Sequence, residues 1–486
     1  MTTELVTPSG SPADAASGTF PPGFVWGAAT AAYQIEGAAA LDGRGPSIWD
    51  TFSHTPGRVQ RGDTGDVATD HYHRFAEDVD LMASLGLRAY RFSVSWSRVI
   101  PAGSGATNQA GVDFYSRLVD ALLEHDIDPV VTLYHWDLPQ PLQDLGGWAN
   151  RDTAARFADY ATVIGTALGD RVRSFTTLNE PWCSAFLGYA SGVHAPGITD
   201  LSTSLAAAHH LNLAHGLGST ALRAVLPPDA KVSITLNLAQ VRGATSSPDD
   251  IDAVRSVDAV ANRIFLEPIM NGRYPEDLLA DTADLTDWAF VHEGDLRAIN
   301  ARPDVLGVNY YTPALVARLQ PGDLERLTKR WVNDPQGADE PSIWPGSHRA
   351  YAVPQQGPHT DMGWRIEPGS FTELLTRIGA EYPEVPVVIT ENGAAFPDVP
   401  DAQGVIHDTD RIAYLEGHLQ AVRDAIAAGV DIRGYFVWSL LDNFEWAWGY
   451  SKTFGIVHVD WTTLERTPKQ SAAWYKAVIQ SNGLTT

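Results

Sequence analysis

The chain has 486 residues, with 34 lysines and arginines against 59 aspartates and glutamates, a formal net charge of -25, and 44% hydrophobic against 19% charged side chains. That much apolar material can bury a large core, which excludes disorder over most of the length, while the acidic balance and the dispersed lysines (Lys231, Lys329, Lys452, Lys469, Lys476) exclude a nucleic-acid partner. No window of about 18–20 residues is continuously apolar, so no membrane span is expected. The single cysteine, Cys183, rules out an intrachain disulfide and a cysteine-built zinc site, and it fits a reducing, cytoplasmic setting.

Along the chain, residues 1–18 are rich in Ser, Thr, Pro, Ala and Gly, without the basic and apolar regions of a signal peptide, and are expected to form a disordered tail. Short runs of Val, Ile, Thr and aromatics follow at Phe24–Ala32, Ala89–Val94, Pro129–Tyr134, Val172–Leu178, Lys231–Leu236, Val305–Tyr310, Val385–Thr390 and Ile432–Trp438, and each reads as a buried strand. Between them lie stretches of helical period, among them Asp113–Glu124, Thr153–Leu168, Leu205–Val225, Asp252–Phe265 and Arg411–Ala428. Strand then helix, repeated about eight times without a linker, predicts an α/β chain folded as a single (β/α)8 TIM-barrel domain over residues 19–486.

In such barrels the active residues follow the carboxyl ends of the strands. After the fourth predicted strand comes Thr177-Leu178-Asn179-Glu180-Pro181, and at the seventh Ile389-Thr390-Glu391-Asn392-Gly393. Glu180 and Glu391 stand three strands apart, placed to face each other across the mouth, as the two carboxylates of glycoside hydrolysis must. A lone rim glutamate is more often a solvated loop residue, but the same rim gathers Gln34, Arg91, His135, Trp136, Asn309, Tyr311, Trp438, Glu445 and Trp446. Directional polar groups mixed with indole faces suit a sugar, whose hydroxyls need partners and whose C–H faces stack on rings.

The segments Phe24-Val25-Trp26-Gly27, Tyr33-Gln34-Ile35-Glu36-Gly37, Tyr90-Arg91-Phe92-Ser93-Val94-Ser95-Trp96 and Tyr134-His135-Trp136-Asp137-Leu138-Pro139, the two glutamate segments, and Trp438-Ser439-Leu440-Leu441-Asp442-Asn443-Phe444-Glu445-Trp446 together resemble glycoside hydrolase family 1, from Phe20 to about Ile479. The resemblance implies a retaining β-glucosidase that needs no cofactor and no metal and takes a small-molecule β-glycoside. It assigns Glu180 as acid/base and Glu391 as nucleophile, with carboxyl groups about 5–5.5 Å apart, and Arg91 and Tyr311 as the groups that keep Glu391 ionised. It makes Gln34, His135, Asn179, Glu445 and Trp446 hydroxyl ligands, Trp438 a stacking platform, Asn309 a support beside the nucleophile, Trp136 a further supporting residue and Phe454 a lesser wall. A carboxylate at Glu445 disfavours 6-phosphorylated sugars, and an acid at Glu180 favours O-glycosides over thioglycosides.

Other motifs read more plainly. His71-Tyr72-His73 has metal-pair spacing but is expected to be ordinary helix-surface histidines, and His209-His210 in an Ala-rich helix carry no function. Cys183, lacking an activating base nearby in sequence, reads as a small wall residue near the leaving-group side. A sugar-binding barrel that has lost catalysis is disfavoured because both carboxylates are present. The stretch from Pro313 to Trp364, with Trp331, Trp344 and Tyr351, is too irregular to read, and leaving-group preference, glucose against galactose or fucose, and oligomeric state stay open.

Overall fold

The computed structural model describes residues 18–319, 343–347 and 349–484, so the predicted tail up to residue 17 and Trp331 lie outside the described residues. Eight parallel strands close into a barrel: β1 Val25–Ala29, β2 Ala89–Ser93, β3 Asp128–Tyr134, β4 Ser174–Asn179, β5 Lys231–Asn237, β6 Val305–Asn309, β7 Val387–Asn392 and β8 Ile432–Trp438. Each falls on a predicted run. Closure joins β1 to β8 in the register Val25↔Gly434 to Ala29↔Trp438, and β1 to β2 through Gly27↔Ala89.

A long helix follows each strand: α1 His71–Leu85, α2 Gln109–Glu124, α3 Asp152–Leu168, α4 Leu201–Val225, α5 Pro248–Asp258, α6 Pro368–Glu381, α7 Thr409–Ala427 and α8 Gln470–Ser481. The reason is visible in α2, where Tyr115, Leu118, Val119 and Leu122 repeat at one-turn spacing and are all buried against the barrel. Boundaries follow local chemistry. The Ser247 side chain accepts from the Asp250 N–H and Pro248 occupies the first turn, so α5 begins four residues before the predicted Asp252. A wide π-type turn at Ala259–Arg263 then interrupts the predicted run before a further helix, Ile264–Asn271.

The histidine expectation needs correction. His71 is buried, not on a helix surface: its Nδ1 lies 2.7 Å from Asp78 Oδ2, and Asp78 accepts from Arg466 at 2.7 Å. His73 is the exposed one, 2.6 Å from Asp70. His209, fully buried, bridges the Tyr274 hydroxyl and Asp295 at 2.9 Å each, which is a packing role. Among the described residues no cluster of three or more His, Cys, Asp or Glu is arranged to hold a metal, and no helix is long and apolar enough to cross a membrane.

One irregularity of the barrel concerns chemistry. The strand pairings shift register between Thr176 and Asn179 of β4 against β5, and around Ile389 to Asn392 of β7 against both neighbours. These are the strands that carry the two predicted carboxylates, and such shifts turn side chains away from regular alternation.

Candidate active site

The strand ends bring the predicted residues to one buried cluster. Glu391 is the penultimate residue of β7, and Glu180 follows directly after β4 with a positive φ of 46°. Trp136 (φ 76°) and Trp446 (φ 47°) also occupy left-handed backbone, a conformation that costs non-glycine residues free energy and collects at functional sites. Beside Glu391, Gly393 is obligatory: a Cβ there would come within 1.7 Å of the Trp438 carbonyl oxygen.

Glu391 is held from two sides. Its Oε1 accepts from Arg91 Nη1 at 2.6 Å and its Oε2 from the Tyr311 hydroxyl at 2.6 Å. Glu180 has neutral donors instead: Asn309 Nδ2 at 2.6 Å on Oε1 and the Cys183 thiol at 3.1 Å on Oε2. Burial pushes the Glu180 carboxyl up to about 8, helped by the negative charge of Glu391. Burial raises Glu391 too, but there the Arg91 guanidinium and the Tyr311 hydroxyl oppose it. One member of the pair has a cation at contact distance and the other does not, so a single proton shared between them belongs on Glu180.

The amides between the carboxyl groups have a defined polarity. The Thr390 hydroxyl donates to Asn309 Oδ1 at 2.7 Å, so Asn309 Nδ2 points at Glu180 and at Asn179 Oδ1, 3.1 Å away. Asn179 Oδ1 also accepts from Arg91 Nη2 at 2.7 Å, which leaves its amide N–H to donate to His135 Nε2 at 3.0 Å. His135 must therefore carry its proton on Nδ1. Burial, with the nearby Arg91 charge, holds its pKa well below the usual histidine value, so it stays neutral.

Polar atoms of the cluster buried without a partner among the described residues include Gln34 Oε1, Arg91 Nε, His135 Nδ1 and Glu445 Oε2. Acceptors and donors left unmet inside a protein are costly unless something else fills them, and sugar hydroxyls, which both donate and accept, match such a set. Gln34 is braced for this by donating to Asn443 Oδ1 at 2.9 Å and to the Phe444 carbonyl at 2.8 Å. The Glu445 carboxyl is raised to about 8 by burial and by the charges of Glu391 and Glu180.

Aromatic rings complete the cluster. His135 lies nearly parallel to Trp438 (centroids 5.7 Å) and to Trp446 (5.9 Å). Trp446 is wedged by Trp136 at 4.5 Å and Trp49 at 4.6 Å, and Trp136 Nε1 donates to the Asn179 carbonyl at 3.0 Å. Phe454 packs on Tyr311 and on Trp364, so it backs the hydroxyl partner of Glu391. Sequence reasoning missed Trp49 and His194, which stand 5.3 Å apart behind Trp446, the first in a short helix Ile48–Ser53 and the second on a distant loop, with no motif to join them. It also placed Cys183 as a passive wall, whereas its thiol touches Glu180; the three-residue spacing of one helical turn was the available signal.

With this geometry the comparisons agree. The model of glycosyl hydrolase family 1 matches residues 16–484. The chain is 52% identical over 468 residues to a bifunctional β-D-glucosidase/β-D-fucosidase of Bifidobacterium breve, covering 95% of this chain and 98% of that one. The psychrophilic β-glucosidase BglU of Micrococcus antarcticus superposes with a TM-score of 0.92 at 46% identity, over 97% of this chain and 99% of that one. A β-glucosidase of Thermotoga maritima in complex with deoxynojirimycin matches with a TM-score of 0.88 at 45% identity, over 96% of this chain and 100% of that one. The match spans the whole barrel, and the chain belongs to glycosyl hydrolase family 1.

Proposed function

We propose that this chain is a retaining β-glucosidase, releasing terminal non-reducing glucose from cellobiose-like oligosaccharides and from aryl or alkyl β-glucosides in the cytoplasm. Glu391 attacks the anomeric carbon while Glu180 passes its proton to the departing oxygen, giving a covalent glycosyl-enzyme. Once Glu391 is esterified its charge is gone, the proton affinity of Glu180 drops, and the same carboxylate takes a proton from the attacking water. Asn179, beside Glu180, takes the hydroxyl next to the reacting carbon, where contacts strengthen in the transition state. Gln34, His135, Glu445 and Trp446 take the remaining hydroxyls, and Trp438 stacks on the ring.

The observation that carries this reading is the asymmetry of the pair: Arg91 and Tyr311 hold Glu391 ready to attack, while Glu180 has neutral donors alone. Retention requires the carboxyl groups about 5–5.5 Å apart, without room for an intervening water. The Bifidobacterium relative also supports β-fucosides as a second substrate class. The deciding experiment is proton NMR of the sugar first released from an aryl β-glucoside, before mutarotation. The β-anomer should appear first; the α-anomer first would make Glu391 a base for water and overturn the mechanism.

A further inference from the structure

The hydrogen bond between Cys183 and Glu180 is built by the backbone that follows β4. The Glu180 carbonyl accepts from the Cys183 N–H at 2.9 Å, opening the wide turn Cys183–Leu187, and this first turn folds the thiol back over the carboxyl group of the residue three before it. Sγ then lies 3.1 Å from Oε2, while Asn309 Nδ2 occupies Oε1. Asn309 cannot turn to present an acceptor, because its Oδ1 is already bound by the Thr390 hydroxyl. Each oxygen of the Glu180 carboxyl thus accepts from one neutral donor, the amide N–H on Oε1 and the thiol on Oε2. Cys183 itself is buried, and burial beside Glu180 holds its thiol well above the ordinary range, so the sulfur stays protonated and acts as a donor.

We propose that Cys183 is a positioning residue for proton transfer: its S–H holds Oε2 of Glu180 in place and favours the carboxylate that forms as the proton leaves. The inference rests on the reading of Glu180 as proton donor. In the first step the proton moves from the Glu180 carboxyl to the departing oxygen as the glycosidic bond breaks, and Glu180 is left negative. A neutral S–H strengthens its bond to an oxygen that gains charge, so its contribution is larger after transfer than before it. In the second step the carboxylate recovers a proton from water, and the thiol's own proton never moves. The other charged or titratable groups around Glu180 are Glu391, Arg91, Tyr311 and Glu445, each from a different strand or the loop after it, and Cys183 is the titratable group that hydrogen-bonds its carboxyl.

The test compares the pH dependence of kcat/KM for wild type, Cys183→Ala and Cys183→Ser on an alkyl β-glucoside, whose departure needs the proton, and on a dinitrophenyl β-glucoside, whose departure does not. Loss of the donor should move the alkaline limb on the alkyl substrate to higher pH by about half to one unit, the size of a weak hydrogen bond to a charged group. Serine, which keeps a donor, should bring the limb back toward wild type, and the dinitrophenyl substrate should change by less than about twofold. An unmoved limb in Cys183→Ala, equal shifts in both variants, or equal losses on both substrates would each overturn the proposal, the last being the signature of damaged packing. Glu180→Gln is measured in parallel. If its alkaline limb disappears, any failure of the cysteine variants counts against Cys183 alone; if the limb persists, the assignment of Glu180 fails and this inference with it.

Discussion

Asn309 stands between two carboxyl groups that the proposed mechanism requires in opposite protonation states, and its amide adds no charge to either while orienting Glu180. The charge that separates them comes from Arg91, on the Glu391 side. With Glu180 near 8, activity requires its protonated form, so kcat/KM should fall as pH rises through about 8, and a pH series on an alkyl β-glucoside checks this. The acid limb should reflect protonation of Glu391. Glu391→Gly should abolish hydrolysis of every substrate. Glu180→Ala should cost about 10²–10⁴ on alkyl glucosides yet spare dinitrophenyl glucosides, which need no proton; a uniform loss across leaving groups, measured by initial rates, would contradict the assignment. At this scale the sequence was informative because both glutamates sit in compact segments at strand ends. The amide polarity was not legible, since it depends on side-chain directions set by residues tens to hundreds of positions away, whereas the thiol on Glu180 left a local trace in its three-residue spacing.

The element that carries Glu445, Trp446 and Phe454 is the long loop from Ser439 to Gly455, and a buried charge cluster holds it. Asp442 accepts from Lys469 at 2.7 Å and from the Gly455 N–H at 3.0 Å, Lys469 also reaches Asp398, and Arg411 joins Asp398 to Asp408 and to the Thr453 carbonyl. Burial alone would raise Asp442, but Lys469, His458 and Arg411 overcome it and keep the carboxyl below the usual aspartate range. The stability it supplies is therefore complete above the unfolded value of about 4 and is lost as pH falls through the lower folded value. Lys469→Met should destabilise the fold by about 3–5 kcal/mol, because Asp442 is left buried with its main cation removed. Urea unfolding measures that cost, and a raised KM for glucosides in the still-folded enzyme would show the loop loosened. A stability unchanged from wild type would mean that Arg411 suffices. Sequence reasoning recognised this segment by its motif but not its support, since Asp398 and Arg411 precede the motif and Lys469 follows it, outside any pattern that joins them.

Across the whole molecule, closure joins the first strand to the last, and the C-terminal end of α8 locks it. Asn482 takes the Trp26 indole N–H at 2.9 Å and donates to the Phe20 carbonyl at 2.8 Å, beside the packed rings of Phe20, Phe24 and Trp26. Asn482→Ala should lower stability by about 1–3 kcal/mol, the cost of leaving that indole N–H and carbonyl unpaired, without changing KM; a shift of the thermal midpoint with unaltered kinetics is the expected outcome. The sequence by itself determined the barrel, its eight strand–helix units and the residues that reach its mouth, because strand burial and helical amphipathicity are local periodicities and active residues in such barrels follow strand ends. Only the tertiary structure decided which carboxylate the Arg91 cation holds and how Asn309 and His135 are oriented. Those properties arise from burial and from the direction of hydrogen bonds between strands far apart in the chain, and the register shifts of β4 and β7 that aim the two glutamates exist only once the strands are paired.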